Sequence, residues 1–120
     1  MSNLRDSDPV SVYLREVRGV PPLKEGEEAD LFQRVRNQDD PAEYALKRLV
    51  ETNLHLVPPI AERHSSERFS VLDLIQEGNN GLMSAIRTFP GGSESFSTHA
   101  AACIEDAIKK AIAESRSTSE

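Results

Sequence analysis

The run Val71-Leu72-Asp73-Leu74-Ile75-Gln76-Glu77-Gly78-Asn79-Asn80-Gly81-Leu82-Met83, continuing through Ile86 to Phe89, decides how the rest of the chain is read. Leu72, Ile75, Leu82, Ile86 and Phe89 recur at helical spacing, as expected for a helix with one buried stripe. Leu74, Gly78, Gly81 and Ala85 form an adjoining face whose small side chains would admit a neighbouring backbone. Each glycine costs a helix interior about 1 kcal/mol relative to alanine, so two of them need a tertiary reason. The remaining face carries Asp73, Gln76, Glu77, Asn80 and Met83. A face rich in amides with a methionine among them suits a protein partner, the alternative being an ordinary solvated face.

Outward from this run the signals are all helical. Asp8-Pro9 is a start signal, a capping aspartate before a proline suited to the first helical position. Val10, Tyr13, Leu14 and Val17 then follow at helical spacing towards Gly19, and Val20-Pro21-Pro22-Leu23 is an extended connector. A second helix is expected from Lys24 or Glu25 to Asn37, burying Leu31, Val35 and Phe32. Asp40 and Pro41 open a third, which runs through Leu46, Leu49, Val50, Leu54, Val57, Ile60 and Ala61. Pro58-Pro59 should kink or break it between His55 and Ile60, because an interior proline removes a hydrogen bond and clashes with the preceding turn. Ser70 is the expected cap of the central helix. Ser97 or Thr98 is the expected cap of a last helix in which Ile104, Ala107, Ile108, Ala111 and Ile112 share a face. There is no strand candidate, so the fold class is all-α. The domain is expected over residues 8–114, between a flexible N-terminus (1–7) and a disordered tail (115–120), and the central glycines are expected to pack against the segment containing Asn53 and Leu54.

Composition narrows the function. With 14 Lys and Arg against 20 Asp and Glu the formal charge is −6, which disfavours tight autonomous DNA binding through phosphates. The single cysteine, Cys103, excludes an internal disulfide framework and points to a reducing, cytoplasmic setting. No apolar run approaches membrane-spanning length, and Met1–Asp6 lacks the build of a signal peptide. His55, His64 and His99 lie on separate elements without ligand spacing, so no metal site is expected. No nucleophile motif or phosphate-cradling glycine loop occurs, so neither an enzyme nor a cofactor is expected.

These residues resemble the sigma-70 factors of bacterial RNA polymerase over most of the chain. Asp8-Pro9-Val10 with Tyr13-Leu14-Arg15-Glu16 is similar to region 1.2, and Asn53-Leu54-His55-Leu56-Val57 to region 2.1. The almost unbroken run Asp73–Met83 is similar to region 2.2, and Phe96-Ser97-Thr98 with Ala107-Ile108 to regions 2.3 and 2.4. The resemblance implies a compact helical domain like region 2, preceded by a helical pair like region 1.2. It implies docking of the region 2.2 helix on the coiled coil of the polymerase β′ subunit, with Asp73, Gln76, Glu77, Asn79 and Met83 as contacts. Asn80 joins them from the helical face derived above, whereas Asn79 falls nearer the buried side. An anti-sigma factor is a further possible partner.

The DNA-handling segment departs from the family pattern. His99 replaces a tyrosine, Ala102 and Cys103 replace tryptophans, Glu105 an arginine and Asp106 a glutamine, and Lys109 stands where housekeeping members carry a threonine that helps read the −10 element. Melted bases are held on aromatic faces, at about 1–3 kcal/mol per base, with cations along the backbone. The segment's DNA-binding candidates are His99, Lys109 and Lys110. Further changes run the same way. The loop Pro90–Ser95 lacks the usual arginine, and Glu62 and His64 replace a lysine and a tyrosine. The resemblance ends with region 2.4, so −35 recognition is not expected of the chain. Two functions are therefore weighed: a sigma-like module that binds the polymerase core with promoter melting weakened or lost, and a divergent but working sigma factor. A titrator of an anti-sigma factor is a third.

Overall fold

Ser70 has extended backbone angles, and its Oγ accepts the Asp73 backbone N–H at 3.1 Å, so the central helix starts at the cap the sequence predicts. Asp73 in the first turn and Arg87 in the last both favour the helix dipole. In this computed structural model, which describes residues 8–38, 42–91 and 94–118, six α-helices follow in order. They are α1 (Pro9–Arg18), α2 (Glu27–Asn37), α3 (Ala42–Asn53), α4 (Val57–His64), α5 (Val71–Thr88) and α6 (Phe96–Thr118), with a 3-10 turn at Leu54–Leu56. No strand occurs among the described residues, and the all-α class holds.

The two faces predicted for α5 merge into one. Leu74, Ile75, Gly78, Gly81, Leu82, Ala85 and Ile86 are all buried, while Leu72 and Phe89 at the rim are half-buried. Coverage from two sides explains this, because α5 lies between α4 and the long α6. Of the third segment expected to receive the glycines, Val57 is met, by Gly78, while Asn53 and Leu54 are not among the nearest neighbours of either glycine. A Cβ on Gly81 would lie 2.6 Å from the Cys103 carbonyl oxygen and 2.9 Å from both Ala107 Cβ and Ile104 Cα, all on α6. A Cβ on Gly78 would meet Val57 Cγ1 of α4 at 2.6 Å, then Ile104 and Ile108 of α6. The α5–α6 approach is thus backbone against backbone at Gly81, and Ile104 and Ile108 fill the space beside it.

The third segment, expected to kink or break between His55 and Ile60, breaks into two helices around the turn Leu54–Leu56. Asn53 ends α3, its Nδ2 donating to the Leu49 carbonyl at 2.7 Å, and the 3-10 turn separates it from α4. Pro58 and Pro59 then fall in the first turn of α4, where a missing N–H leaves no hydrogen bond broken. The prolines open a helix here; they do not interrupt one.

The flanks follow similar local chemistry. Helix α2 starts at Glu27, later than expected, because Gly26 takes a left-handed conformation (φ 83°) as its cap. Glu27 Oε1 accepts the Lys24 backbone N–H at 2.9 Å, fastening the connector to the helix start. Asp8 makes no side-chain capping bond. On α6 the cap is Ser95, whose Oγ accepts the Thr98 backbone N–H at 3.3 Å, so Ser97 and Thr98 lie inside the helix. Helix α6 continues to Thr118, past the Glu114 boundary expected for the tail. Residues 1–7, Asp40 and Pro41 lie outside the described residues.

A ring cluster joins α2 to the α5–α6 turn. Phe32, Phe89 and Phe96 have centroids 5.0–5.4 Å apart in tilted and edge-on geometry. Helix α1 is attached through buried Val17 and half-buried Tyr13.

Gly81→Ala should destabilise the domain by roughly 2 kcal/mol or more, since overpacking outweighs the gain in helix propensity. Gly78→Ala should cost less, because its closest neighbour is a side-chain methyl that can shift. Urea denaturation followed by circular dichroism tests the order, and an equal or reversed order would contradict the backbone contact at Gly81.

Candidate docking surface

Burying Leu74, Gly78, Gly81 and Ala85 turns the opposite side of α5 outward. Asp73, Gln76, Glu77 and Asn80 are exposed on that side, and Met83 is half-buried at its edge. None of the two carboxylates enters an ion pair among the described residues. Asn79 is set apart from the other candidates. It is half-buried and turned towards α1, its Nδ2 donating to the Tyr13 hydroxyl at a long 3.4 Å, while its Oδ1 is buried without a hydrogen-bond partner. An unmet buried acceptor of this kind costs about 1–3 kcal/mol. The contact makes Asn79 a bridge between the docking helix and α1, the structural role its position on the helical wheel suggested.

The candidates on α6 are not brought together. His99 is held in place by its neighbours: Nε2 lies 3.1 Å from Thr88 Oγ1, Nδ1 lies 3.7 Å from Glu94 Oε1, and the ring packs 5.6 Å from that of Phe89. Lys109 and Lys110 are exposed about 15 Å farther along the helix, at 1.5 Å per residue. Between them, Ala101 and Ala102 are exposed and offer no ring. Cys103 is half-buried, and burial, then Asp106 and Glu94, push its thiol pKa up, which favours the thiol over the thiolate.

Glu105 does something its sequence context did not reveal. Its Oε2 lies 2.6 Å from His64 Nε2 and its Oε1 3.2 Å from Arg63 Nη2, so it ties α6 to the end of α4. The hydrogen bond with His64 is the largest influence on its carboxyl; desolvation comes next and opposes it, but the His64 charge and Arg63 add to the hydrogen bond and hold the carboxyl below the usual glutamate value. Both Glu105 and His64 are departures from the sigma-70 pattern, and that coincidence was the available signal of a contact. Asp106 is therefore the one exposed carboxylate of the pair read at first as facing DNA. Among the described residues no three His, Cys, Asp or Glu side chains gather as metal ligands, and no helix is long and apolar enough to cross a membrane.

The sigma-70 region 2 family model matches residues 49–118, from the middle of α3 to the end of α6. The chain belongs to the sigma-70 family. It is 41% identical over 119 residues to the RNA polymerase sigma factor SigA of Lactococcus lactis subsp. cremoris, covering 98% of this chain and 33% of that protein. It is 46% identical over 112 residues to SigA of Clostridium acetobutylicum, covering 92% of this chain and 29% of that one. The chain thus spans about a third of the length of these curated relatives.

In this sigma-70 domain the Glu105 contact should show in the pH dependence of stability. A carboxyl held low in the folded state stabilises it above the unfolded-state value, about 4.3 for glutamate, and the contribution is lost as pH falls through the folded-state value. At pH 6 Glu105→Gln should be less stable in urea, by at most about 1 kcal/mol for so exposed a contact. At pH 3 the difference should close, and a difference that persists there would contradict the ionic account.

Proposed function

We propose that this sigma-70 domain docks on the RNA polymerase core, at the β′ clamp coiled coil, through the outer face of α5, with promoter melting weakened or lost. The observation that carries the reading is the contrast between two surfaces of one domain. On α5, Asp73, Gln76, Glu77 and Asn80 are exposed together on a helix seated on the buried core. On α6, the side chains available to a melted strand are alanines, a half-buried thiol and a histidine engaged with Thr88 and Glu94. The chain has no tryptophan, and Tyr44, exposed among the described residues, lies on α3 and not on α6. Base capture by stacking has no platform there. Such a domain is a non-catalytic binding module of the transcription apparatus.

One observation favours a divergent, promoter-binding sigma factor as the second reading. Lys109 and Lys110 are exposed and make no ion pair among the described residues, so they can meet phosphates. Anti-sigma titration is an outcome of the same docking face, since a competitor for the polymerase would cover it.

Binding of the full chain to core RNA polymerase, with a conventional sigma factor as competitor, tests the first reading. Gln76→Ala or Asn80→Ala should weaken binding about tenfold, equivalent to about 1.4 kcal/mol, without lowering the melting temperature. No binding at tens of micromolar would refute it. Sequence-dependent binding of single-stranded −10 DNA in the presence of core enzyme would establish the second reading instead.

A further inference from the structure

The exposed face of α5 borders a groove whose other walls belong to different elements. This cavity, about 330 Å³, is lined by Asp73, Leu74, Gln76 and Glu77 of α5, Arg68 and Phe69 of the preceding loop, and Ala111 and Ser115 of α6. Its loop wall is fastened to itself. Ser66 Oγ accepts the backbone N–H groups of Arg68 and Phe69 at 3.2 and 3.3 Å, and the Ser66 N–H donates to the Phe69 carbonyl at 2.9 Å. The Arg68 guanidinium lies 5.7 Å over the Phe69 ring, a stacking contact that holds an exposed arginine in one direction.

The groove is charged on both sides, and its charges are unanswered. Asp73 and Glu77 supply two carboxylates one helical turn apart, Arg68 faces them from the loop, and none of the three is in an ion pair among the described residues. Leu74 lies beneath it, fully covered, so the surface the groove offers is mainly polar. A polar groove with opposed charges on its walls fits a helix that carries side chains of both signs in register.

We propose that Arg68 is a specificity-determining residue of the docking surface, and that the surface is a two-walled groove taking a partner helix. That helix brings a basic side chain to Asp73 and Glu77 and a carboxylate to Arg68. The proposal rests on the docking reading above and adds to it the charge pattern of the partner. A partner presenting only cations to the α5 face would be repelled by Arg68, so the loop selects among helices that α5 alone would accept.

Titration of the full chain into core RNA polymerase, with the variants Arg68→Glu, Arg68→Ala and Gln76→Ala, tests it. Arg68→Glu should weaken binding at least tenfold in about 0.1 M salt and Arg68→Ala about threefold. The loss in Arg68→Glu should shrink in about 0.5 M salt, where exposed charges are screened. Melting curves of the variants should match that of the parent chain, which separates lost contact from lost fold. If Gln76→Ala weakens binding and Arg68→Glu does not, the groove is refuted while docking through α5 stands. If the parent chain does not bind core polymerase, or neither position affects binding, the docking reading fails and the groove falls with it.

Discussion

Helices α5 and α6 touch backbone to backbone at Gly81, where no side chain larger than hydrogen fits against the Cys103 carbonyl. This constraint sets the rotation of α5 about its own axis. With Gly78, Gly81 and Ala85 turned inward, Asp73, Gln76, Glu77 and Asn80 have only the outside left to them. The glycines cost helix stability, about 1 kcal/mol each. What they gain is the close seating of Ile104 and Ile108, both fully buried beside them. The polar outer face of α5 is therefore a consequence of packing on the opposite side.

A second, polar fastening acts at the far side of α6. Glu105 bridges to His64 and Arg63, so the carboxylate that replaces a family arginine serves to attach α6 to α4. On another side of the same helix, His99 is likewise engaged with the protein itself, through Thr88 and Phe89. Both side chains thereby tie α6 to neighbouring parts of the helix bundle. On α5, by contrast, Asp73 and Glu77 enter no ion pair among the described residues.

Much of this was legible in the chain. Apolar spacing gave α5 its inward and outward faces, and Ser70 three residues before Asp73 gave its start, because both signals are local. The glycines announced a close neighbour but not its identity, since sequence spacing is blind to which element arrives from afar. The partner of Gly81 turned out to be α6, whereas Gly78 meets Val57 of the expected segment first and α6 next. The His64–Glu105 contact is invisible for the same reason, joining residues 41 apart. The proline pair marked the break in the third segment, and the structure sets that break just ahead of it, at Leu54–Leu56, so that the prolines stand in the first turn of the next helix. Asn79 was the one candidate that resemblance and helical geometry placed differently, and its contact with Tyr13 follows the geometry.

Hydroxyl-radical footprinting of the chain, free and bound to core RNA polymerase, tests the central claim most directly, because Met83 on the docking face and His99 and Cys103 on α6 are all reactive reporters. The account predicts protection of Met83 on binding with little change at His99 and Cys103. Unchanged oxidation of Met83, or protection confined to His99 and Cys103, would contradict it and move the functional surface from α5 to α6.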